Sequence, residues 1–200
     1  MLIPMWAQHK VKSNYEKYSQ VRSTSGKTGR EVAEEILHAN GIYDVDVVKG
    51  EGFLTDHYDP NKKVVCLSPA NFDRPSVAGT AIAAHEVGHA IQHQQGYAFL
   101  RFRTALVPLA NIGSSLSYII IMAGIFLTAL GSAFGSTALW IGAGLMSLAV
   151  LFSIVTLPVE FDASSRAMKQ ITALNIVNEK EYKHARKVLS AAAMTYVAAT

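Results

Sequence analysis

The chain has almost no cysteine and no strong excess of either charge. Its 200 residues include a single cysteine, Cys66, which excludes an intramolecular disulfide framework and a zinc cluster built from several cysteines. The formal net charge is only +3, and no stretch interleaves Lys or Arg with aromatic residues as a nucleic-acid-binding groove would. The composition therefore gives no reason to expect a nucleic-acid partner.

Charged side chains are missing altogether from one long segment. Residues 104–159 contain no Asp, Glu, Lys, Arg or His. A helix that crosses a bilayer needs about 20 apolar residues, so this segment is long enough for two spans and a turn. We expect the spans at 109–130 and 138–157, with Pro158 ending the second. A buried hairpin of a soluble protein is disfavoured, because the rest of the chain is too short to cover two such helices.

The cations beside this segment predict its orientation. Arg101 and Arg103 precede it, Arg166 and Lys169 follow it, and the turn between the spans has no cation. By the positive-inside rule, both ends of the hairpin and all of the charged sequence should face the cytoplasm.

Three segments follow from this pattern. We expect residues 1–104 to form the first part of a soluble domain, 105–159 to form a transmembrane helical hairpin, and 160–200 to form helices that complete the domain. The uncharged stretch 190–200 suggests that an apolar helix is cut short there.

The charged segments predict a mostly helical α+β fold with a small β-sheet. Thr28 and Glu31 form a capping box that opens a helix. The turn signal at 59–62 lies between two β-friendly runs and predicts a hairpin. The expected helices are 12–22, 28–40, 76–95, 160–174 and 179–197, and the expected strands are 43–48, 53–58 and 63–67.

The strongest chemical signal is an H-E-x-x-H motif in the middle of a predicted helix. His85 and His89 are four residues apart, so they share one helical face and can present two imidazoles to one zinc ion. Glu86 lies next to the first histidine, where its carboxylate can accept a proton from a water molecule and later deliver it to a leaving amine. The pattern predicts one catalytic zinc ion, with Glu86 as the general base.

A catalytic zinc needs a third protein ligand, and three candidates remain open. Glu160 is favoured, because a two-span hairpin returns the chain to the membrane face from which it left, near the histidines. His93 continues the histidine stripe, but eight residues of straight helix separate it from His85 by about 12 Å. Asp162 or another carboxylate is the remaining possibility.

Three stretches of sequence resemble a known family. They are LTDHYDP at 54–60, AAHEVGHAIQH at 83–93 and LPVEFDAS at 157–164. Together they resemble the bacterial membrane neutral zinc metallopeptidases (the YugP-like family), related in motif layout to gluzincins of the HtpX/Ste24 type. The resemblance implies a zincin-like metalloprotease domain made of 1–104 and 160–200, endopeptidase activity and a bacterial inner membrane. It also implies zinc held by His85, His89 and Glu160, with Glu86 as the base.

One position departs from the HtpX-like pattern. That pattern places an aspartate four residues after the ligand glutamate, where this chain has Ser164. The side chain that orients a zinc-binding histidine is therefore left open. The residue that stabilises the oxyanion is open as well, with His57, Tyr58 and Arg166 as candidates.

These patterns favour a membrane-bound zinc endopeptidase. Its substrates would be peptides or unfolded membrane proteins, and the site's place beside the lipid bilayer suggests membrane-protein quality control. The alternative is a non-catalytic membrane scaffold with a structural zinc site, and a zinc hydrolase of non-peptide amides is a further rival. Retention of an acid at Glu86 favours catalysis, because a structural site needs no base. The sequence does not predict an oligomeric state.

Overall fold

A computed structural model describes the backbone of residues 2–199 and the side chains of 5–195, 197 and 198. Two end residues lie outside the described residues: Met1, the first residue of the apolar start, and Thr200, the last residue of the uncharged end. The elements are α1 (Leu2–Ser19), α2 (Gly29–Ala39), β1 (Asp46–Lys49), β2 (His57–Asp59), β3 (Val64–Leu67), α3 (Pro69–Asp73), α4 (Val77–Gln94), α5 (Ala98–Ala129), α6 (Phe134–Ala173) and α7 (Glu179–Ala199).

The expected capping box opens α2. The Thr28 side chain accepts a hydrogen bond from the backbone N–H of Glu31, and the Glu31 carboxylate accepts one from the backbone N–H of Thr28. The apolar face of α2, with Val32 and Ile36, is fully buried in the core. The prediction of this helix is confirmed.

The small sheet has the strand order β1-β3-β2. Strands β2 and β3 are antiparallel, which confirms the hairpin, and β1 runs parallel to β3. The turn between β2 and β3 is held by Asp59, whose carboxylate accepts the backbone N–H groups of Asn61 and Lys62. Strand β2 is therefore an edge strand, and it packs beside α4.

Helix α4 lies at the centre of the domain outside the apolar hairpin, where it contacts most of the other helices and the sheet. Its N-cap is Ser76, whose hydroxyl accepts the backbone N–H of Gly79. Small residues, alanine and glycine, let α2, α6 and α7 approach α4 closely, so α4 is buried on nearly every side. The residues of the H-E-x-x-H motif are thus held on a rigid element.

Helices α5 and α6 form a long antiparallel hairpin. Both are long and apolar enough to cross a membrane. Most of their apolar surface is uncovered by the rest of the protein; Trp140, for example, is 79% exposed. The close approach of α5 and α6 depends on glycine, because a side chain would collide with the opposite helix. A Cβ on Gly124 would lie 3.0 Å from Leu139, and one on Gly142 would lie 2.5 Å from Ile121.

Pro158 does not end the second apolar helix, contrary to expectation. Helix α6 continues without interruption from Phe134 to Ala173, so the separate helix expected at 160–174 is its second half. Proline removes one backbone hydrogen bond but has a helical φ, and packing against α4 holds the following turns in place, with Val159 and Ala163 fully buried. Pro108 likewise lies inside a continuous helix, α5. The turn between α5 and α6 covers 130–133 and is shorter than the expected 131–137, because α6 begins earlier than predicted.

Helix α1 also begins earlier than expected. The apolar start of the sequence joins the polar stretch in one helix, with Ala7 and Tyr15 buried and packing against α7. Helix α7 runs over nearly the expected residues. Both α1 and α7 also contact α4.

Candidate metal centre

Two helices bring three potential metal ligands together. His85 and His89 lie one turn apart on α4, and Glu160 lies on α6, which packs across α4. One ligand atom from each residue lies within 4.8 Å of the other two. The Glu160 Oε2 atom is 3.2 Å from His85 Nε2 and 3.7 Å from His89 Nε2.

This donor set fits a zinc ion. Two imidazole nitrogens and one carboxylate oxygen are typical ligands of catalytic zinc, which leaves the fourth position open. Bonds of about 2.0–2.1 Å in a tetrahedron place neighbouring ligand atoms roughly 3.3–3.5 Å apart. The two observed distances, 3.2 and 3.7 Å, fall on either side of that range.

The other two candidates for a third ligand are engaged elsewhere. The Nδ1 atom of His93 shares a hydrogen bond of 2.8 Å with the Tyr58 hydroxyl. The carboxylate of Asp162 accepts hydrogen bonds from Gln92 and Arg166. Asp162 and Arg166, one helical turn apart on α6, thus form a local ion pair.

Gln92 determines which nitrogen of His89 faces the site. Its Nε2 atom donates to the backbone carbonyl of Val159 at 2.9 Å and to Asp162 at 2.8 Å. Because both partners are acceptors, the amide oxygen must be the atom 3.0 Å from His89 Nδ1. The proton of His89 therefore lies on Nδ1, and the lone pair of Nε2 is directed at the site.

Ser164 lies beside the other histidine. Its hydroxyl is 3.2 Å from His85 Nδ1, and the Nε2 atom of His85 faces Glu160. The position at which the HtpX-like pattern has an aspartate thus supplies a hydroxyl partner for a ligand histidine. Such partners orient the imidazole and raise its basicity.

Glu86 is buried next to the three candidate ligands but is not one of them. Its side chain lines the cavity described below and makes no hydrogen bond within the described part of the chain. Burial raises the pKa of Glu86 above its usual value, although the adjacent imidazoles of His85 and His89 counteract the rise. A carboxylate with a raised pKa is suited to accept a proton near neutral pH.

The electrostatic surroundings of His89 favour positive charge at its imidazole ring. Burial by itself lowers its pKa, but the carboxylates of Glu160 and Glu86 outweigh this effect and raise the pKa above the usual value. A divalent metal ion at this position would balance the negative charge of the same two carboxylates.

A cavity of about 630 Å³ opens onto these residues. It is bounded by α1, α4, α5, α7 and β2, and by Glu160 of α6, and its walls are mostly apolar. Of the three candidates for oxyanion stabilisation, His57 and Tyr58 line this cavity. Arg166 does not line it; its guanidinium donates to Asp162 and Gln95. Arg166 is therefore the least favoured of the three open candidates.

Tyr58 is committed to another partner. Burial, together with the carboxylates of Asp44 and Asp59, raises the pKa of Tyr58 to about 12. The phenol therefore stays protonated at any physiological pH, and its hydroxyl is paired with His93.

Gln92 and Arg103 lie next to candidate ligands but could not be singled out from the sequence. Arg103 lines the cavity, and its Nη2 atom lies 3.8 Å from Glu160 Oε1. In the sequence this residue contributes only to the positive-inside pattern. No local signal distinguishes it from Arg101.

Comparison with known proteins gives a consistent result. The model of the family described as "Putative neutral zinc metallopeptidase" matches residues 1–200. The chain is 46% identical over 197 residues to a Bacillus subtilis (strain 168) protein named "Putative membrane protease YugP", covering 98% of this chain and 85% of that protein. No solved structure matches the chain significantly.

Proposed function

The chain belongs to the family described as "Putative neutral zinc metallopeptidase", and from that premise we propose that it is a membrane-bound, zinc-dependent endopeptidase of the gluzincin type. The observation that carries the proposal is the convergence of His85, His89 and Glu160 beside the otherwise unpaired carboxylate of Glu86. The family resemblance extends the proposal to a zincin-like domain that is interrupted by the apolar hairpin.

The proposed zinc ligands are His85, His89 and Glu160. A bound zinc ion would polarise the scissile carbonyl group and lower the pKa of a water molecule toward about 7. Gln92 and Ser164 would hold the two imidazoles with Nε2 toward the ion.

Glu86 is the proposed general base. Its carboxylate accepts a proton from the attacking water molecule as the water oxygen bonds to the carbonyl carbon. The same proton then passes from Glu86 to the amine nitrogen as the peptide C–N bond breaks. The buried position of Glu86 at the cavity wall supports this role.

The substrate would lie in an extended conformation along β2. This strand is an edge of the sheet, and its residues His57 and Tyr58 line the same cavity as His85. An edge strand can bind a peptide through backbone hydrogen bonds with little dependence on its sequence. Unfolded polypeptides and exposed segments of membrane proteins fit this mode of binding, which agrees with a role in membrane-protein quality control.

Membrane association is supported by the two apolar helices and by the name of the Bacillus relative. We place the protein in the bacterial plasma membrane as a multi-pass protein, with 105–159 as the hairpin and with 1–104 and 160–200 forming the catalytic domain in the cytoplasm. The cations at Arg101 and Arg166 support this orientation.

The decisive experiment compares wild type with Glu86→Gln in detergent. Bound zinc is measured in both, together with cleavage of an unfolded protein such as reduced casein, and Glu51→Gln on an exposed loop is the matched control. We expect about one zinc per chain in all three proteins, and cleavage to fall by about 10²–10⁴-fold only in Glu86→Gln. Wild type that binds zinc without cleaving would favour the scaffold. Wild type without zinc would overturn the proposal.

A further inference from the structure

Arg103 has an unusual position for a guanidinium group. Among the residues that the structure describes, it is the only Lys or Arg that lines the cavity. Its side chain is 29% exposed, and its Nε atom is buried without a hydrogen-bond partner. Its one ion-pair contact, at 3.8 Å to Glu160 Oε1, is too long for a hydrogen bond.

Buried donors are nearly always paired, so an unpaired one beside a candidate reaction site requires an explanation. Arg166 shows the ordinary arrangement in this chain. Its Nε atom donates to Asp162 at 2.5 Å and its Nη1 atom to Gln95 at 2.6 Å. The donors of Arg103 are instead left available at the cavity wall.

His57 and Tyr58, the two other oxyanion candidates on this wall, are less suited to bind an anion. The Nδ1 atom of His57 lies 2.8 Å from the backbone carbonyl of Thr55, so it carries the proton of the neutral ring. The Nε2 atom of neutral His57 can then only accept. The Tyr58 hydroxyl is already paired with His93. Arg103 offers charged donors without any change of protonation.

We propose that Arg103 is a catalytic residue that stabilises the oxyanion of the transition state; the inference rests on the function proposed above. As the water oxygen bonds to the carbonyl carbon, the π electron pair moves onto the carbonyl oxygen and the water proton passes to Glu86. The guanidinium of Arg103 donates hydrogen bonds to that anionic oxygen. When the pair returns and the C–N bond breaks, the proton moves from Glu86 to the amine, and the donors of Arg103 are released.

A different role would be to position Glu160 through the ion pair at 3.8 Å. The two roles predict different losses. A positioning residue would mainly change zinc affinity, whereas an oxyanion-binding residue would change the affinity for an anionic, tetrahedral ligand more than that for an uncharged, planar one.

The test uses the zinc-loaded full chain in detergent, with Arg103→Gln and with Arg101→Gln as the control. Arg101 lies on the same helix, is exposed and does not line the cavity. Two ligands are titrated: a peptide phosphinate, which mimics the tetrahedral oxyanion, and the corresponding peptide amide. The amide is measured in the Glu86→Gln background so that it is not cleaved, and its amidated C-terminus removes the carboxylate that could otherwise bind Arg103.

We expect Arg103→Gln to weaken phosphinate binding by about 10²–10³-fold, the usual effect of removing one oxyanion donor. Binding of the peptide amide should change far less, zinc stoichiometry should stay at the wild-type value, and Arg101→Gln should match wild type. Arg103→Lys, which keeps the charge but loses the planar fork, should recover part of the phosphinate affinity. This variant also serves as the test if Arg103→Gln does not fold.

Three results would overturn the inference. Equal losses for the phosphinate and the peptide amide would mean that Arg103 binds the ground state. A loss of zinc, with normal phosphinate binding once zinc is restored, would mean that Arg103 positions Glu160. Phosphinate binding by wild type that does not depend on zinc would overturn the proposed function itself, and the role of Arg103 with it.

Discussion

Gly88 and Ala163 bring the backbones of α4 and α6 into direct contact. A Cβ atom on Gly88 would lie 2.6 Å from the carbonyl oxygen of Ala163. Gly88 lies between the two histidines of the candidate metal centre, and Ala163 lies about one turn after Glu160. The missing side chain at Gly88 therefore sets the distance over which Glu160 reaches the imidazoles.

Gly88→Ala should separate the two helices and weaken zinc binding. The clash is with a backbone atom, which cannot rotate away, so α6 must shift and Glu160 with it. Inserting a methyl group into a well-packed contact usually costs about 1–3 kcal/mol of stability. Zinc titration and thermal unfolding in detergent would measure both effects.

Gly144→Ala is the matched control. A Cβ at this helical position would meet no heavy atom within 4 Å, so alanine should be tolerated and should favour the helix slightly. If Gly88→Ala bound zinc as tightly as Gly144→Ala, the close approach would have no role in positioning the site.

Glu160→Gln should remove most of the zinc affinity. The substitution keeps the shape of the side chain but replaces the anionic ligand with a neutral amide. The loss of zinc affinity should exceed the roughly 10–100-fold that is typical when a hydrogen-bond partner of a ligand, and not the ligand itself, is replaced. His93→Gln should bind zinc almost as wild type does, because His93 is paired with Tyr58. Zinc competition titrations with a chelator decide the matter, and the reverse ranking would make His93 the third ligand.

Gln92→Leu should weaken zinc binding by about 10–100-fold. The buried amide holds His89 with its proton on Nδ1, and leucine fills a similar volume without an acceptor. The loss should appear in zinc affinity, whereas kcat measured at saturating zinc should change little. Ligand-shell spectra with Co²⁺ in place of zinc would report the altered imidazole.

The control for Gln92 is its neighbour Gln94. This residue lies on the same helix, and its side chain is exposed. Gln94→Leu should leave the zinc affinity unchanged. A similar loss in both variants would point to a general effect on α4 and not to the orientation of His89.

The parts of the molecule that the sequence predicted well depend on local interactions. The capping box at Thr28, the turn at Asp59 and the placing of His85 and His89 on one helical face each involve residues at most four apart. Family membership was also predictable, since the motifs are specific and extend over most of the chain. The relation to gluzincins of the HtpX/Ste24 type stays a prediction.

The parts that were missed depend on packing between distant segments. Pro158 was expected to stop a helix, but contacts between α4 and α6 hold the helix together on both sides of it. Gln92 and Arg103 have no distinguishing pattern in the sequence, because each meets its partner from a distant segment. Gln92 contacts Asp162, 70 residues away, and Arg103 lies near Glu160 of another helix. Proximity of Glu160 to the histidines could be inferred only from the return of the hairpin.

The orientation of the protein in the membrane gives a final prediction. In a Cys66→Ala background, a cysteine at Ala133, in the turn between α5 and α6, should react with a membrane-impermeant maleimide added to intact bacterial protoplasts. A cysteine at Lys62, in the exposed turn of the β-hairpin, should react only after the membrane is opened.

The reason is the distribution of cations around the hairpin. Arg101, Arg103, Arg166 and Lys169 are all near its two ends, which the positive-inside rule places in the cytoplasm, and the turn at 130–133 has none. Labelling of Lys62→Cys in intact protoplasts would place the catalytic domain outside the cell and would exclude cytoplasmic substrates. Protection of both sites in intact protoplasts would instead mean that α5 and α6 do not carry the turn across the bilayer, so that the membrane association has another geometry.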